Sequence, residues 1–359
     1  MIKKRVLLGL SGGVDSSVAA LILKNQGFEV DALFMRNWIE EDGSPYCNVK
    51  EDFMDASFIA DQLGIQLINK NFSVAYKSRV FDYFLEELKI GRTPNPDILC
   101  NKEIKFDVFF KYAMERNYDF IATGHYCRTK EINDSCYLLK GKDHDKDQSY
   151  FLHSISQASL AKTLFPIGEL YKHKVRKIAL EGGLITSNKK DSTGICFIGE
   201  RPFPEFLQNY LDKNPGPILT SNHKQIGEHI GLSFYTLGQR QGLGIGGLKD
   251  YPDSPWYVVK KDMEHNSLVV VQGNKNPLLF SSRLTTKELN CINEVPDGSY
   301  NFNAKIRYRQ PDQTCKVEIK DNKANVIFEK PQRAITHGQS LVLYSDDTCI
   351  GGGEIKKVW

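Results

Sequence analysis

The residues best placed to do chemistry in this 359-residue sequence are a glycine-rich turn and two cysteines. Ser11-Gly12-Gly13-Val14-Asp15-Ser16-Ser17 follows the apolar run 5–10 and opens a helical pattern, Val14, Val18, Leu21 and Ile22. Glycines let successive backbone N–H groups converge on an anion. The following helix adds its dipole and its unpaired first-turn donors. Ser11, Ser16 and Ser17 offer hydroxyls. Asp15 repels a phosphate directly, so it acts through Mg²⁺ or fixes the loop. The spacing is neither that of a Walker loop nor that of a dinucleotide fold. The competing reading is an ordinary strand-to-helix turn.

Cys100 lies in Gly91-Arg92-Thr93-Pro94-Asn95-Pro96-Asp97-Ile98-Leu99-Cys100-Asn101. The two prolines stiffen the segment and exclude helix before Asp97. A helix is expected to begin near Asn101, with Cys100 at its start, where the dipole favours thiolate. Asp97 is close enough to act as acid or base. Cys196 follows Lys189 and Lys190, and positive neighbours lower a thiol pKa. Taken singly, each cysteine also reads as a buried structural residue, and for Cys100 that reading is the better one on composition. None of the eight cysteines has C-x-x-C spacing, so neither a zinc ribbon nor any other metal site is predicted. Most are expected to be buried fillers.

The elements around these residues alternate. Strand patterns at 5–10, 28–35, 65–72 and 119–124 are separated by helical patterns at 14–26, 52–63, 73–89 and 104–116. This predicts a parallel sheet covered by helices on both faces. Ligands of such sheets sit at the carboxyl ends of the strands. Ser11–Ser17, Met35–Asn37 and Gly124–Tyr126 all fall on that rim. The pattern ends near Arg201-Pro202-Phe203-Pro204. A short helix at 206–211, turns and strands follow, and Gly238–Gly247 is too irregular for a regular element. From about residue 278, alternating strands predict a small antiparallel β-barrel. The expected domains are therefore 1–202, 203–276 and 277–359.

Hydrophobic residues make up 41% and charged residues 25%, which excludes a largely disordered chain. No run approaches the roughly 18 apolar residues of a membrane span. The apolar N-terminal run is too short for a signal peptide, so a buried first strand and a cytoplasmic protein are expected. The net charge of +3 neither demands nor excludes nucleic acid.

The turn at Ser11–Ser16 resembles the pyrophosphate loop of the ATP pyrophosphatase superfamily. Four further stretches join it: Pro94-Asn95-Pro96-Asp97 through Cys100-Asn101, Thr123-Gly124-His125-Tyr126, Lys146 to Leu152, and Lys190 to Gly199. With Thr236 to Gly247 they resemble, in order and over nearly the whole chain, the tRNA-specific 2-thiouridylases. The resemblance implies an adenine nucleotide alpha-hydrolase-like first domain and ATP-dependent sulfur insertion at C2 of the wobble uridine, in tRNAs for Lys, Glu and Gln. It implies ATP contacts at Gly9, Leu10, Ser11, Gly12, Gly13, Val14, Asp15, Ser16, Met35 and Gly124, with Mg²⁺ accompanying ATP. Cys196 carries a persulfide sulfur. Cys100 is the second nucleophile, releasing the sulfur or forming a transient disulfide with Cys196. Asp97 is the acid/base residue, with Asn95 and Pro96 shaping the pocket for the target base. tRNA contacts are implied at His125, Lys146, Asp147, Gln148, Arg307, Tyr308 and Gln339. The sequence does not name the sulfur donor; the resemblance implies a cysteine desulfurase, acting directly or through a relay carrier. Two other readings stay open on the residues alone: an ATP-dependent ligase of the same superfamily, and a non-catalytic tRNA-binding protein.

Overall fold

The computed structural model describes residues 3–38, 49–191 and 203–359. Its first sheet holds β1 (Arg5–Gly9), β2 (Glu29–Arg36), β3 (Leu67–Asn71), β4 (Phe120–Ala122) and β7 (Thr163–Leu164), in the order β3-β2-β1-β4-β7. All pairs are parallel, with Val6 opposite both Val30 and Phe120. Val6, Leu7 and Leu8 are all fully buried. Such a continuous apolar strand is what a sheet covered on both faces requires. Alternate residues serve opposite faces. Val6 and Leu8 pack with Val18, Ile59 and Val175, from α1 (Val14–Asn25), α2 (Val49–Leu63) and α5 (Lys172–Glu181). Leu7 packs with Phe81, Phe84, Ile104 and Phe109, from α3 (73–89) and α4 (96–114). The sequence pattern predicted this architecture. Gly27 (φ +87°) ends α1 as expected: its N–H reaches the Lys24 carbonyl, and the Phe28 N–H reaches that of Leu23.

The helix expected near Asn101 begins five residues earlier. Asn95 is its N-cap, its Oδ1 accepting from the Asp97 and Ile98 N–H groups at 3.1 and 3.3 Å. Pro96 takes the first helical position, where a missing N–H costs nothing. The proline read as a helix breaker is thus a helix starter, and Cys100 lies one turn inside α4. There the helix widens to π geometry over Cys100–Phe109.

A second sheet, β10-β11-β8-β9, is built from β8 (Gly216–Thr220), β9 (Gln225–His229), β10 (Trp256–Asp262) and β11 (Ser267–Gln272). Between β9 and β10, Gly238–Gly247 forms no regular element, as expected. The last strands are β12 (Phe280–Thr286), the short β13 (Asn290–Cys291), β14 (Gly298–Lys305), β15 (Gln313–Lys320), β16 (Lys323–Arg333), β17 (Ser340–Ser345) and β18 (Thr348–Val358). β12, β16, β15, β14, β17 and β18 close into the antiparallel barrel, since β12 pairs with both β16 and β18. Cys315, Val317 and Ile319 point inward and alternate with exposed Lys316, Glu318 and Lys320.

The sequence reading missed one feature. A hairpin of β5 (Cys127–Ile132) and β6 (Ser135–Lys140) leaves the first domain and extends the barrel sheet, pairing Leu138 with Cys349. Its signal was Asn133-Asp134, both at positive φ, a two-residue turn of the kind that closes tight hairpins. Buried charges lock it in place. Lys140 pairs with Asp312 at 2.5 Å, and Lys305 lies 3.6 Å from Asp147. Asp147 also accepts from the N–H groups of Gly141 and Ser149 and from the Ser149 hydroxyl, at 3.0 to 3.1 Å. Asp147→Ala leaves the buried Gly141 and Ser149 N–H groups without an acceptor and Lys305 with Asp312 alone, at 3.7 Å, and is expected to cost about 3–5 kcal/mol. A urea unfolding midpoint measures it; a loss under about 1 kcal/mol, the scale of one ordinary hydrogen bond, refutes the structural role. Among the described residues no helix is long and apolar enough to cross a membrane.

Candidate active site

The glycine-rich turn caps β1 at the carboxyl edge of the first sheet, beside the ends of β2 and β4. Its two glycines are not equivalent. Gly12 has φ +77°, and a Cβ there would lie 2.9 Å from the Asp52 carbonyl carbon, closer still to its oxygen. Gly13 has ordinary φ and only the Ser11 hydroxyl near it, at 3.5 Å. Gly124, at the end of β4, is pressed against the turn: a Cβ would come within 2.7 Å of the Ser16 nitrogen. Met35 covers Gly9, its Cε 3.1 Å from where a Cβ would stand. Leu10 and Val14 are buried beneath. The hydroxyls brace the loop from inside, Ser16 and Ser17 both donating to the Gly13 carbonyl at 3.1 and 2.9 Å. Gly13 offers no side-chain cap to α1, so the first-turn N–H groups face the loop, ready for an anion.

Asp15 is engaged rather than open. Its Oδ1 accepts from the Tyr126 hydroxyl at 2.8 Å, and both of its oxygens lie 2.8 Å from Lys172 Nζ. Lys172 also reaches Asp191 at 2.8 Å, and Asp191 is held by Arg176 at 2.7 Å and Lys146 at 2.8 Å. Burial pushes the Asp191 carboxyl up, but the bonds from Lys146 and Lys172 outweigh it and bring its pKa down to about 2. On the other side of the loop, Lys189 bonds Asp52 (2.8 Å) and Asp55, fixing the helix end against which Gly12 rests. Tyr126 was expected on the rim and Lys189 beside Cys196, but no role at the loop was foreseen for Tyr126, Lys172, Lys189 or Asp191. Lys172, with 12% of its side chain exposed, is not part of a solvated face. One signal was legible: a lysine opening a helix sits against the dipole, which favours acids there.

The Cys100 segment enters the site from a three-way junction. The Thr93 N–H donates to the His337 carbonyl at 2.9 Å, and the Gln339 amide donates to the Thr93 carbonyl at 2.7 Å. The Thr93 hydroxyl lies 3.4 Å from that of Thr236. One residue thus ties the first sheet domain to the second sheet and to the barrel, two residues before Asn95. Beyond it, Asn101 clamps the helix start by donating to the Asp97 carbonyl at 2.9 Å. Asp97 is partly exposed. Cys100 is fully buried among Ile98, Ile104 and Phe109. Cys196 lies outside the described residues.

Three family models match the chain in order: the tRNA methyl transferase HUP domain over residues 4–200, the tRNA methyl transferase PRC-barrel domain over 204–272, and the aminomethyltransferase β-barrel domain over 281–355. The tRNA-specific 2-thiouridylase MnmA of Hahella chejuensis (strain KCTC 2396) is 55% identical over 357 residues, covering 99% of this chain and 98% of that protein. That of Pseudomonas fluorescens (strain Pf0-1) is 54% identical over 360 residues, covering 99% and 96%. The chain belongs to the tRNA-specific 2-thiouridylase family. The models' descriptions speak of methyl transfer. The near-full-length relatives decide between the two names.

The positions that 2-thiouridylase resemblance assigned to tRNA contact fall into two groups. His125 is buried, its Nδ1 2.8 Å from the Thr123 hydroxyl and its ring beside Phe106 and Phe165. Burial, with Lys105 nearby, holds its pKa well below 6.5, so it is neutral at pH 7. Lys146-Asp147-Gln148 is not an open surface loop either. Asp147 is buried in the barrel contact, Lys146 pairs with Asp191, and Gln148 accepts from the Tyr126 N–H at 3.0 Å. The loop is turned inward because its acid is needed against Lys305. Arg307 and Tyr308 do face outward, lining a groove of about 410 Å³ with Arg309, Lys330 and Arg333. No acid lines that groove, and the Tyr308 ring packs tilted against Phe151, with centroids 4.4 Å apart.

Proposed function

We propose that this chain thiolates C2 of the wobble uridine in tRNA, consuming ATP and releasing AMP and pyrophosphate. The observation that carries the reading is the Gly12 loop, squeezed between Asp52 and Gly124 at the uncapped start of α1. That is a rigid cradle for the phosphates released when ATP is cleaved. The residues holding ATP are Gly9 to Ser16, Met35 and Gly124. Asp15 is saturated by Tyr126 and Lys172, so it does not fit as a Mg²⁺ ligand in this state; Mg²⁺ enters only as the counter-ion of ATP.

The uracil O2 attacks the α-phosphorus and pyrophosphate leaves. The adenylated oxygen is then a good leaving group. The terminal sulfur of a Cys196 persulfide attacks C2, the C2–O bond breaks and AMP departs. The Cys100 thiolate takes the inner sulfur, leaving a Cys100–Cys196 disulfide that a reductant must reopen. Asp97, one turn before Cys100, moves the protons. The uridine reaches the pocket by leaving its stack. Asn95 and Pro96 fix one wall of that pocket through the helix start. The groove at Arg307 and Tyr308 offers cations and an aromatic surface to the anticodon arm. A cysteine desulfurase or a relay carrier supplies the sulfur.

The test is thiolation of unmodified glutamate tRNA with ATP, Mg²⁺ and a persulfide source, read by retardation in a mercury-containing gel. Wild type is expected to give retarded tRNA and Cys196→Ser none. Retardation in both moves the sulfur to another carrier. AMP formation without retardation in either favours the ligase reading.

A further inference from the structure

Lys172 opens α5 at the positive end of the helix dipole, and no acidic side chain stands in that first turn. The position is unfavourable for a lysine unless something nearby repays it. The structure shows what does. Lys172 Nζ is shared between two carboxylates: Asp15, which belongs to the loop itself, and Asp191, which does not. The backbone N–H of Lys172 is taken by Asp143 at 2.8 Å. Asp191 does not depend on Lys172, because Arg176 and Lys146 also hold it. Three acids and three bases therefore balance, and the unliganded cluster is neutral. An anion entering the loop adds a competing acceptor beside Asp15. The cation nearest to hand is Lys172, and Asp191 is the partner that can let it go.

We propose that Asp191 and the anion in the loop compete for Lys172, so that Lys172 is the positioning cation of the pyrophosphate site and Asp191 restrains it. The inference rests on the loop being that site, as proposed above. It makes a prediction of unusual sign. A merely structural Asp191 loses affinity or nothing when neutralised. A competing Asp191 gives affinity back.

The experiment is calorimetric titration of the full chain with inorganic pyrophosphate and Mg²⁺, with thermal melts to establish folding. Lys172→Met is expected to weaken binding by about tenfold or more, the scale of one charge-assisted contact, and Lys172→Arg to keep most of it. Asp191→Asn is expected to tighten binding by about three- to tenfold, and to do nothing in the Lys172→Met background, because coupled residues are non-additive. Arg176→Gln approaches from the other side. Asp191 loses a cation, grips Lys172 harder, and pyrophosphate affinity falls by about threefold, a typical coupling between neighbours. Folded Asp191→Asn with unchanged or weaker binding overturns the proposal. So does an equal gain with and without Lys172. If Asp191→Asn melts early, an unchanged or tighter Arg176→Gln overturns it instead. A wild type that binds no pyrophosphate overturns the loop reading itself, whereas binding that ignores Asp191 overturns this inference alone.

Discussion

Gly12→Ala is expected to lower tRNA-dependent AMP formation by about a hundredfold or more, the cost of a 1 Å misplacement at a reacting centre. Two effects act together. Gly12 has φ +77°, where a side chain costs about 1–2 kcal/mol. The added methyl would also meet the backbone carbonyl of Asp52, which cannot retreat easily because Lys189 ties Asp52 and Asp55 down. The loop must shift, and with it every N–H aimed at the phosphates. Gly13→Ala is the control. Its φ is −94° and its nearest neighbour is a rotatable hydroxyl, so AMP formation is expected to stay within about tenfold of wild type, a barrier change of about 1.4 kcal/mol. AMP released per tRNA, measured by chromatography, separates the two. A Gly12→Ala enzyme within threefold of wild type would show that the loop does not hold the phosphates.

The second large effect is expected at Cys100. Cys100→Ser should still adenylate tRNA, because the residue is not among those proposed to hold ATP, yet multiple-turnover thiolation should fall by about a hundredfold or more, as when a nucleophile is removed. The readout is the ratio of AMP to thiolated tRNA over time, near one for wild type and rising for the mutant. Equal thiolation by both removes Cys100 from the mechanism. Cys100 is fully buried, inside α4 and among Ile98, Ile104 and Phe109. A serine there costs about 1–3 kcal/mol if its hydroxyl finds no partner. A thermal melt should therefore accompany the assay. The burial also carries a mechanistic consequence. A thiol in that position is shielded from solvent and from adventitious oxidants, so a persulfide must be admitted to this buried position during turnover.

Several features were legible in the sequence because they depend on local pattern. The run Val6-Leu7-Leu8 could only be a strand buried on both faces. The helix at 73–89 followed from its periodicity, and the barrel strands followed from alternation such as Cys315, Val317 and Ile319 against Lys316, Glu318 and Lys320. The glycine-rich turn was legible as an anion loop because strand, turn and helix agreed. What pattern could not supply was pairing between distant residues. The sequence treats Gly12 and Gly13 alike; only the approach of Asp52, 40 residues on, tells them apart. Asp147, which the resemblance gave to tRNA contact, is instead carried by the β5–β6 hairpin onto the barrel beside Lys305. Pro96 looked like a barrier until Asn95 was seen capping the helix it starts. Nothing in the sequence names the partners of Lys172; the fold sets it between Asp15 and Asp191, 157 residues after the first. Propensity and periodicity are properties of neighbours in the chain. The charge and contact partners that set a group's chemistry are neighbours in space, and folding alone chooses them.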